Sequence, residues 1–310
     1  MNNLPPKLQD KLKQRELSNS LRTLSGTSDL IDFSSNDYLG FSRSSDINER
    51  ALAILNNEGN LKNGATGSRL LTGNHELYTR AEQRIAHFHS SDTALIFNSG
   101  YDANLGLLGS IGLRGDVLLY DELCHASIRD GLQLGKANSY KFKHNDLNDL
   151  RAVTARVLND QKNDGQVYVV TESVFSMDGD SPNLNELCQW CEEKEYRLIV
   201  DEAHAVGVAG PKGAGLMDTW GLTDKVFARI VTFGKALGVH GAAVLCGHEL
   251  REFLINFARS FIYTTGLPPH SVAAVIAAYE KLEKDVSGIN KLHRNIELLR
   301  LCVENSKLKV

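Results

Sequence analysis

Four short stretches of this sequence carry residue types that can do chemistry. Val231-Thr-Phe-Gly-Lys-Ala-Leu-Gly238 sets one lysine just after an apolar, β-like run and among small residues. At the mouth of a sheet such an amine is partly desolvated, its pKa falls, and it becomes a usable nucleophile. Ile199-Val200-Asp201-Glu202-Ala203-His204 ends a second apolar run on a carboxylate, with a histidine three positions on. A buried aspartate is stable only against a cation or hydrogen-bond donors. Phe97-Asn98-Ser99-Gly100-Tyr101 breaks a run at Ser-Gly where a helix begins, so backbone N–H groups are offered to an anion such as phosphate. Asp121-Glu-Leu-Cys-His125 places a histidine in the loop after another apolar run. Each has an ordinary alternative: a snorkelling lysine, a structural ion pair, a glycine turn, an exposed loop histidine.

The elements that would position these residues follow from the hydrophobic pattern. Over residues 7–24, Leu8, Leu12, Leu17 and Leu21 recur near helical spacing and predict an amphipathic N-terminal helix, and residues 47–57 predict another. From about residue 76 the pattern alternates strand and helix. Short apolar runs at 93–98, 117–120, 167–170, 197–200, 230–233 and 242–246 are rich in Val, Ile, Leu and aromatics, with helical stretches between most of them. That pattern predicts an α/β fold, a mostly parallel sheet flanked by helices on both faces. Ligands of such sheets sit beyond the carboxyl ends of the strands, and all four stretches fall at that edge.

Their convergence narrows the chemistry. Phosphate donors, a carboxylate, a histidine able to stack on a ring and an amine nucleophile are what pyridoxal 5'-phosphate requires: a lysine for the Schiff base, an acid to keep the pyridine nitrogen protonated, and an anion site. Other common sites are missing. Gly234-Lys235 lacks the upstream glycine spacing of a P-loop and is followed by Ala236, no GxGxxG opens the first βα unit, and no GxSxG elbow is present.

Composition excludes broad classes of partner. The 310 residues are 42% hydrophobic and 23% charged with a net charge of −4, which suits a globular chain with a substantial core. Basic residues are mixed with acidic ones, so neither nucleic acid nor an anionic membrane is an expected partner. Met1-Asn-Asn-Leu-Pro-Pro has no signal-peptide pattern and no apolar run approaches the ~20 residues of a spanning helix, so the cytoplasm is expected. The five cysteines are expected as free thiols. Cys188-Gln-Trp-Cys191 is half of a zinc site without a second pair, in a segment that reads as helix, so no metal is expected.

At this point the sequence resembles the α-oxoamine synthases, fold type I pyridoxal phosphate enzymes. The motifs are Asp32-Phe-Ser-Ser-Asn-Asp-Tyr-Leu-Gly40, Gly64-Ala-Thr-Gly-Ser-Arg-Leu-Leu-Thr-Gly-Asn74, Cys124-His-Ala-Ser127, Val174-Phe-Ser-Met-Asp-Gly-Asp180, Asp201-Glu-Ala-His204, Thr232-Phe-Gly-Lys235 and Tyr263-Thr-Thr-Gly-Leu-Pro-Pro269. Seven motifs in order are a strong family signal. The resemblance implies that Lys235 forms the Schiff base with the cofactor, Asp201 pairs with the pyridine nitrogen, His125 stacks on the ring and His204 bonds its phenolic oxygen. It implies phosphate binding by the backbone at Gly100 and Tyr101 and by Thr232, with Ser176 near the cofactor. Thr264 or Thr265 would reach the phosphate of a neighbouring subunit, because the family is homodimeric. Arg22, expected on the N-terminal helix, and Asn36 would bind substrate.

The implied reaction is condensation of an amino acid with an acyl thioester and loss of carbon dioxide. Gly67-Ser-Arg-Leu-Leu-Thr-Gly-Asn74 resembles the branch that joins L-alanine to a pimeloyl thioester, on CoA or acyl carrier protein, to make 8-amino-7-oxononanoate for biotin. Branches that use glycine or serine share the early chemistry and are the alternative. The implied organisation is an N-terminal helix and arm over 1–40, a large cofactor-binding domain over 41–285, and the start of a C-terminal small domain over 286–310. The family continues beyond that point, so a cofactor-binding fragment that is inactive or partner-dependent is a further expectation, and aminotransfer a third reading.

Overall fold

The computed structural model describes residues 4–24, 31–59, 61–159 and 165–306. The chain forms two units, Met1–Ser35 and Asn36–Val310. The first holds α1, Pro6–Leu17, which begins on a proline that has no N–H to leave unbonded. It is shorter than the leucine spacing predicts. The Ser18 hydroxyl donates to the Gln14 carbonyl (2.9 Å) and Asn19 turns left-handed at φ 49°, so the helix ends before Leu21. Arg22 therefore lies outside the helix expected to carry it.

The second unit contains a seven-stranded sheet: β1 Thr93–Phe97, β2 Val117–Asp121, β3 Asn138–Phe142, β4 Val167–Glu172, β5 Arg197–Asp201, β6 Ala228–Thr232 and β7 Ala242–Cys246. Its order is β1-β7-β6-β5-β4-β2-β3. β7 runs antiparallel to both neighbours and the other pairings are parallel, as the continuous apolar runs predict. Two antiparallel steps return β1 to the direction of β6. The carboxyl ends of β1, β2, β4, β5 and β6 therefore share one edge.

Helices α2 (Ser45–Asn57), α3 (Glu76–Phe88), α4 (Gly100–Ile111), α5 (Ala126–Leu134), α6 (Leu147–Asn159) and α7 (Leu184–Glu193) are followed by the single turn α8 (Leu216–Thr219). Then come α9 (His248–Phe257), the turn α10 (Arg259–Ile262), α11 (Pro269–Lys284) and α12 (Ser287–Glu304). Alternate residues of each strand enter cores on opposite faces. On β1, Leu95 and Phe97 join the core beneath α4, α5 and α9, whereas Ala94 and Ile96 join the one beneath α2, α3 and α11. Val117 and Leu119 of β2 and Leu198 and Val200 of β5 pack in a third core with α6 and α7. Cys188 and Cys191 belong to that core, and burial pushes their thiols up to about 11 and about 12.

The strand ends differ from the sequence reading in ways that matter for chemistry. β6 starts two residues early and stops at Thr232, so Phe233-Gly234-Lys235 lies beyond its end. β4 and β5 extend to their acids, Glu172 and Asp201. β3 carries no apolar run: only Phe142 of its five residues is buried. β1 lies at the other edge of the sheet but is covered on both faces and stays apolar, whereas β3 is largely exposed and tolerates polar side chains, so its pattern is weak.

Candidate active site

The switch in strand order between β2 and β4 opens a crevice at the carboxyl edge. A cleft of about 180 Å³ lies at that edge, and its lining includes Gly100, Tyr101, His125, Asp201, His204, Thr232 and Lys235. The structure thus brings seven of the expected residues to one place from four separate segments.

Asp201, 5% exposed, forms the floor. Its Oδ2 accepts from Asn104 Nδ2 (2.8 Å) and its Oδ1 from the Ala203 amide (2.9 Å). Lys235 is partly buried, and desolvation lowers its pKa against the opposing charges of Asp201 and Glu172. Its Nζ lies 2.5 Å from His204 Nε2. Burial, then the charge of Lys235, pushes His204 down to about 4, so its imidazole is neutral at pH 7. The other ring nitrogen, Nδ1, bonds the Tyr38 hydroxyl at 2.7 Å, and that hydroxyl donates to Asn36 Oδ1 at 3.1 Å.

At the opposite wall, helix α4 begins at Gly100 with Ser99 as its cap, the Ser99 hydroxyl accepting from the Asp102 amide at 3.1 Å. The Gly100 and Tyr101 amides lie in the first turn, where no intrahelical acceptor exists. A Cβ on Gly100 would sit 3.7 Å from Cβ and Oγ1 of Thr232, so hydroxyl and helix start face each other across the cleft wall. His125 caps α5, and its amide donates to Glu172 Oε1 at 2.6 Å.

Other expected residues sit elsewhere. Ser176 is exposed in the turn after β4 and does not line the cleft. Thr264 accepts from Asn98 Nδ2 at 2.9 Å and the Thr265 carbonyl accepts from the same group at 2.8 Å; neither lines the cleft. Asn36 reaches His204 only through Tyr38. Arg22 belongs to the other unit.

Three lining or adjoining residues escaped the sequence reading. Glu172 is 4% exposed and is the register partner of Asp201 on the adjacent strand. Burial, reinforced by the Asp201 charge, pushes its carboxyl up to about 7. Its signal was available: an acid two positions after an apolar run, where Asp201 follows its own run directly. Asn104 lies one turn into α4, four residues after Gly100, and Tyr38 sits inside a quoted motif. Their roles depend on contacts across 97 and 166 residues, which spacing does not reveal.

The donor set suits a planar cofactor with a phosphate, a basic ring nitrogen and an aldehyde. Amide donors and a hydroxyl stand at one end and a buried carboxylate at the floor, with a desolvated amine beside a neutral imidazole. Asn104 Oδ1 is buried without a partner, consistent with a polar face left for a bound group.

Comparison with known proteins agrees. The profile of aminotransferase class I and II matches residues 28–299, and the chain belongs to that family. It is 44% identical over 287 residues to 8-amino-7-oxononanoate synthase of Emericella nidulans, covering 88% of this chain and 68% of that one. It is 41% identical to the same-named protein of Geotalea daltonii, covering 82% and 63%. The chain thus spans about two thirds of the length of these relatives. Among solved structures, Sphingomonas wittichii serine palmitoyltransferase superposes with a TM-score of 0.86 at 27% identity, over 99% of this chain and 80% of that one. The Francisella tularensis 8-amino-7-oxononanoate synthase gives 0.73 at 30%, over 91% and 78%.

Proposed function

We propose that this chain is a pyridoxal phosphate-dependent acyltransferase of the α-oxoamine synthase type, condensing L-alanine with a pimeloyl thioester on CoA or acyl carrier protein. The products are 8-amino-7-oxononanoate for biotin synthesis, carbon dioxide and free thiol. The observation that carries the reading is the Lys235 amine, 2.5 Å from a neutral His204, in one cleft with the buried Asp201. The 36–44% identity to several proteins named 8-amino-7-oxononanoate synthase supports the substrate choice.

Bound here, the cofactor would supply an electron sink for the charge left at the amino acid's Cα. Lys235 would hold it and would serve as the general base for the Cα proton; desolvation keeps that amine deprotonated more readily than a surface lysine. His204 accepts a hydrogen bond from the amine at Nε2. Asp201, its carboxylate oriented by Asn104 and the Ala203 amide, would keep the ring nitrogen protonated. Amides of Gly100 and Tyr101, with the Thr232 hydroxyl, would bind the phosphate, and His125 would stack on the ring. On the family resemblance, Ser176 is proposed to lie near the cofactor, and Thr264 or Thr265 from a second copy in a homodimer to reach its phosphate. Arg22 and Asn36 are proposed on that ground for substrate, and residues 286–310 as the start of a small domain.

The structural likeness to serine palmitoyltransferases favours a second reading, serine with a palmitoyl thioester. One experiment separates them: record the visible spectrum of the cofactor-loaded chain, then follow thiol release with alanine and pimeloyl-CoA or serine and palmitoyl-CoA. Release with the first pair alone is expected. Release only with the second overturns the substrate assignment, and absence of any cofactor band overturns the cofactor itself. A band without thiol release marks a chain that binds cofactor but does not turn over by itself.

A further inference from the structure

A histidine outside the cleft ties together the two turns that follow β2 and β4, strands whose ends supply His125 and Glu172 to its lining. His144, in the β3–α6 loop, bonds a carboxylate with each ring nitrogen: Nδ1 to Asp121 Oδ1 at 2.9 Å and Nε2 to Asp180 Oδ2 at 2.8 Å. Asp121 ends β2, is fully buried, and also accepts from the Leu123 and Asn145 amides at 2.9 and 2.8 Å, so it sets the turn leading to His125. Asp180 closes the turn after β4 that carries Ser176, where the Phe175 amide donates to the Asp180 carbonyl at 3.0 Å. The His144 ring meets Phe175 edge-on, centroids 4.4 Å apart.

Chemistry fixes the state of this ring. A neutral imidazole has one N–H, whereas two carboxylates demand two donors. The nearby donor for a bare Nε2, Asn145 Nδ2 at 3.2 Å, is committed more closely to Asp180 Oδ2 at 2.6 Å. Neighbouring charges are otherwise engaged, Lys141 with Glu122 (3.5 Å) and Lys143 with Asp149 (3.7 Å). We infer that His144 is a positioning residue, an imidazolium bridge that holds the loop leading to His125 in register with the turn that follows Glu172 at the end of β4.

Partial desolvation works against the charged ring, but hydrogen bonds to and charges on Asp121 and Asp180 outweigh it and raise its pKa. The bridge therefore contributes fully below the unfolded value near 6.5 and is lost as pH rises through the raised folded value. Above it, Nε2 and Asp180 repel, and of the two side-chain donors to the Asp180 carboxylate only Asn145 Nδ2 is left.

The cofactor consequence rests on the function proposed above; the bridge does not. Nitrogen-15 NMR of the histidine-labelled full chain, with His144→Gln assigning the resonance, should show both His144 ring nitrogens protonated at pH 7. Asp180→Asn should lower the midpoint. A singly protonated ring at pH 7 overturns the inference. In parallel, the Kd for pyridoxal phosphate should rise about tenfold across that midpoint, the loss expected from one charge-assisted contact. In His144→Gln it should be weaker throughout and flat across that range. An unchanged Kd profile in a folded His144→Gln chain would leave His144 merely structural and overturn its positioning role. Failure of the wild-type chain to bind cofactor at any pH would sink the functional reading and the positioning role with it, while the NMR result still decides the bridge.

Discussion

Asp201 and Glu202 are consecutive acids at the end of β5, and the fold sends them to opposite fates. Glu202 is fully buried: Arg229 Nη1 donates to its Oε2 at 3.3 Å and the Met217 amide to its Oε1 at 3.0 Å. Arg229 also donates to the His89 carbonyl, and His89 links Ala214 and Tyr279 at 2.9 Å through its two ring nitrogens. Burial holds His89 down to about 3, so it is neutral; Nδ1–H donates to the Ala214 carbonyl and Nε2 accepts from the Tyr279 hydroxyl. This network joins β6, α11 and the end of α3, and its charge is matched within the chain. Asp201 has only an amide side chain and a backbone N–H, and among the described residues it makes no ion pair. A nearly buried carboxylate that no cation contacts, the Lys235 charge acting on it only from a distance, is costly to keep, and a bound cationic group relieves that cost. Completed networks hold the fold; incomplete ones hold ligands.

Four measurements would break or sharpen that contrast. Asp201→Ala should reduce thiol release on the order of 10³-fold, as loss of a preorganised electrostatic partner does, while the melting temperature of the cofactor-free chain stays near wild type. Arg229→Met should do the reverse, stranding Glu202 and lowering stability by about 3–5 kcal/mol, read from urea unfolding. Equal destabilisation by the two would erase the distinction.

Glu172 tests the same idea through pH. Its folded carboxyl is raised to about 7 from 4.5, chiefly by burial, so the unfolded chain ionises first and stability falls as pH climbs through that interval. Glu172→Gln keeps an acceptor for the His125 amide and removes the charge. The cofactor-free variant should match wild type at pH 4 and exceed it by about 3 kcal/mol at pH 8, an order of magnitude set by the size of the shift. A gain that is equal at both pH values would rule out the charge as its cause. The smallest effect is expected at Tyr38→Phe, which removes the hydroxyl between His204 and Asn36: about a tenfold loss in kcat, the worth of one hydrogen bond, with KM little changed. A change confined to KM would place Tyr38 with substrate rather than with His204.

Most of the sheet was legible because six strands sit between two packed faces and must be continuously apolar. β3 was not, since its one partner and open side ask for little beyond Phe142. The N-terminal helix was overextended because leucine spacing says nothing about the Ser18 and Asn19 stop. Lys235, Asp201, His204 and His125 stood out as unusual side chains just past apolar runs. Glu172 followed the same rule and was passed over; Asn104 and Tyr38 followed no local rule.

The sequence by itself determined the periodicities, hence the strands and helices, and the order of motifs, hence the family. These are short-range properties, set by which residues suit a buried strand or a helix start. Only the tertiary structure decided which acid of Asp201-Glu202 received an arginine, which tyrosine reached His204, and that His144 lies between two carboxylates 23 and 36 residues away along the chain. The physical reason is that hydrogen bonds and ion pairs depend on distances of a few ångströms between side chains, and those distances are set when the sheet assembles.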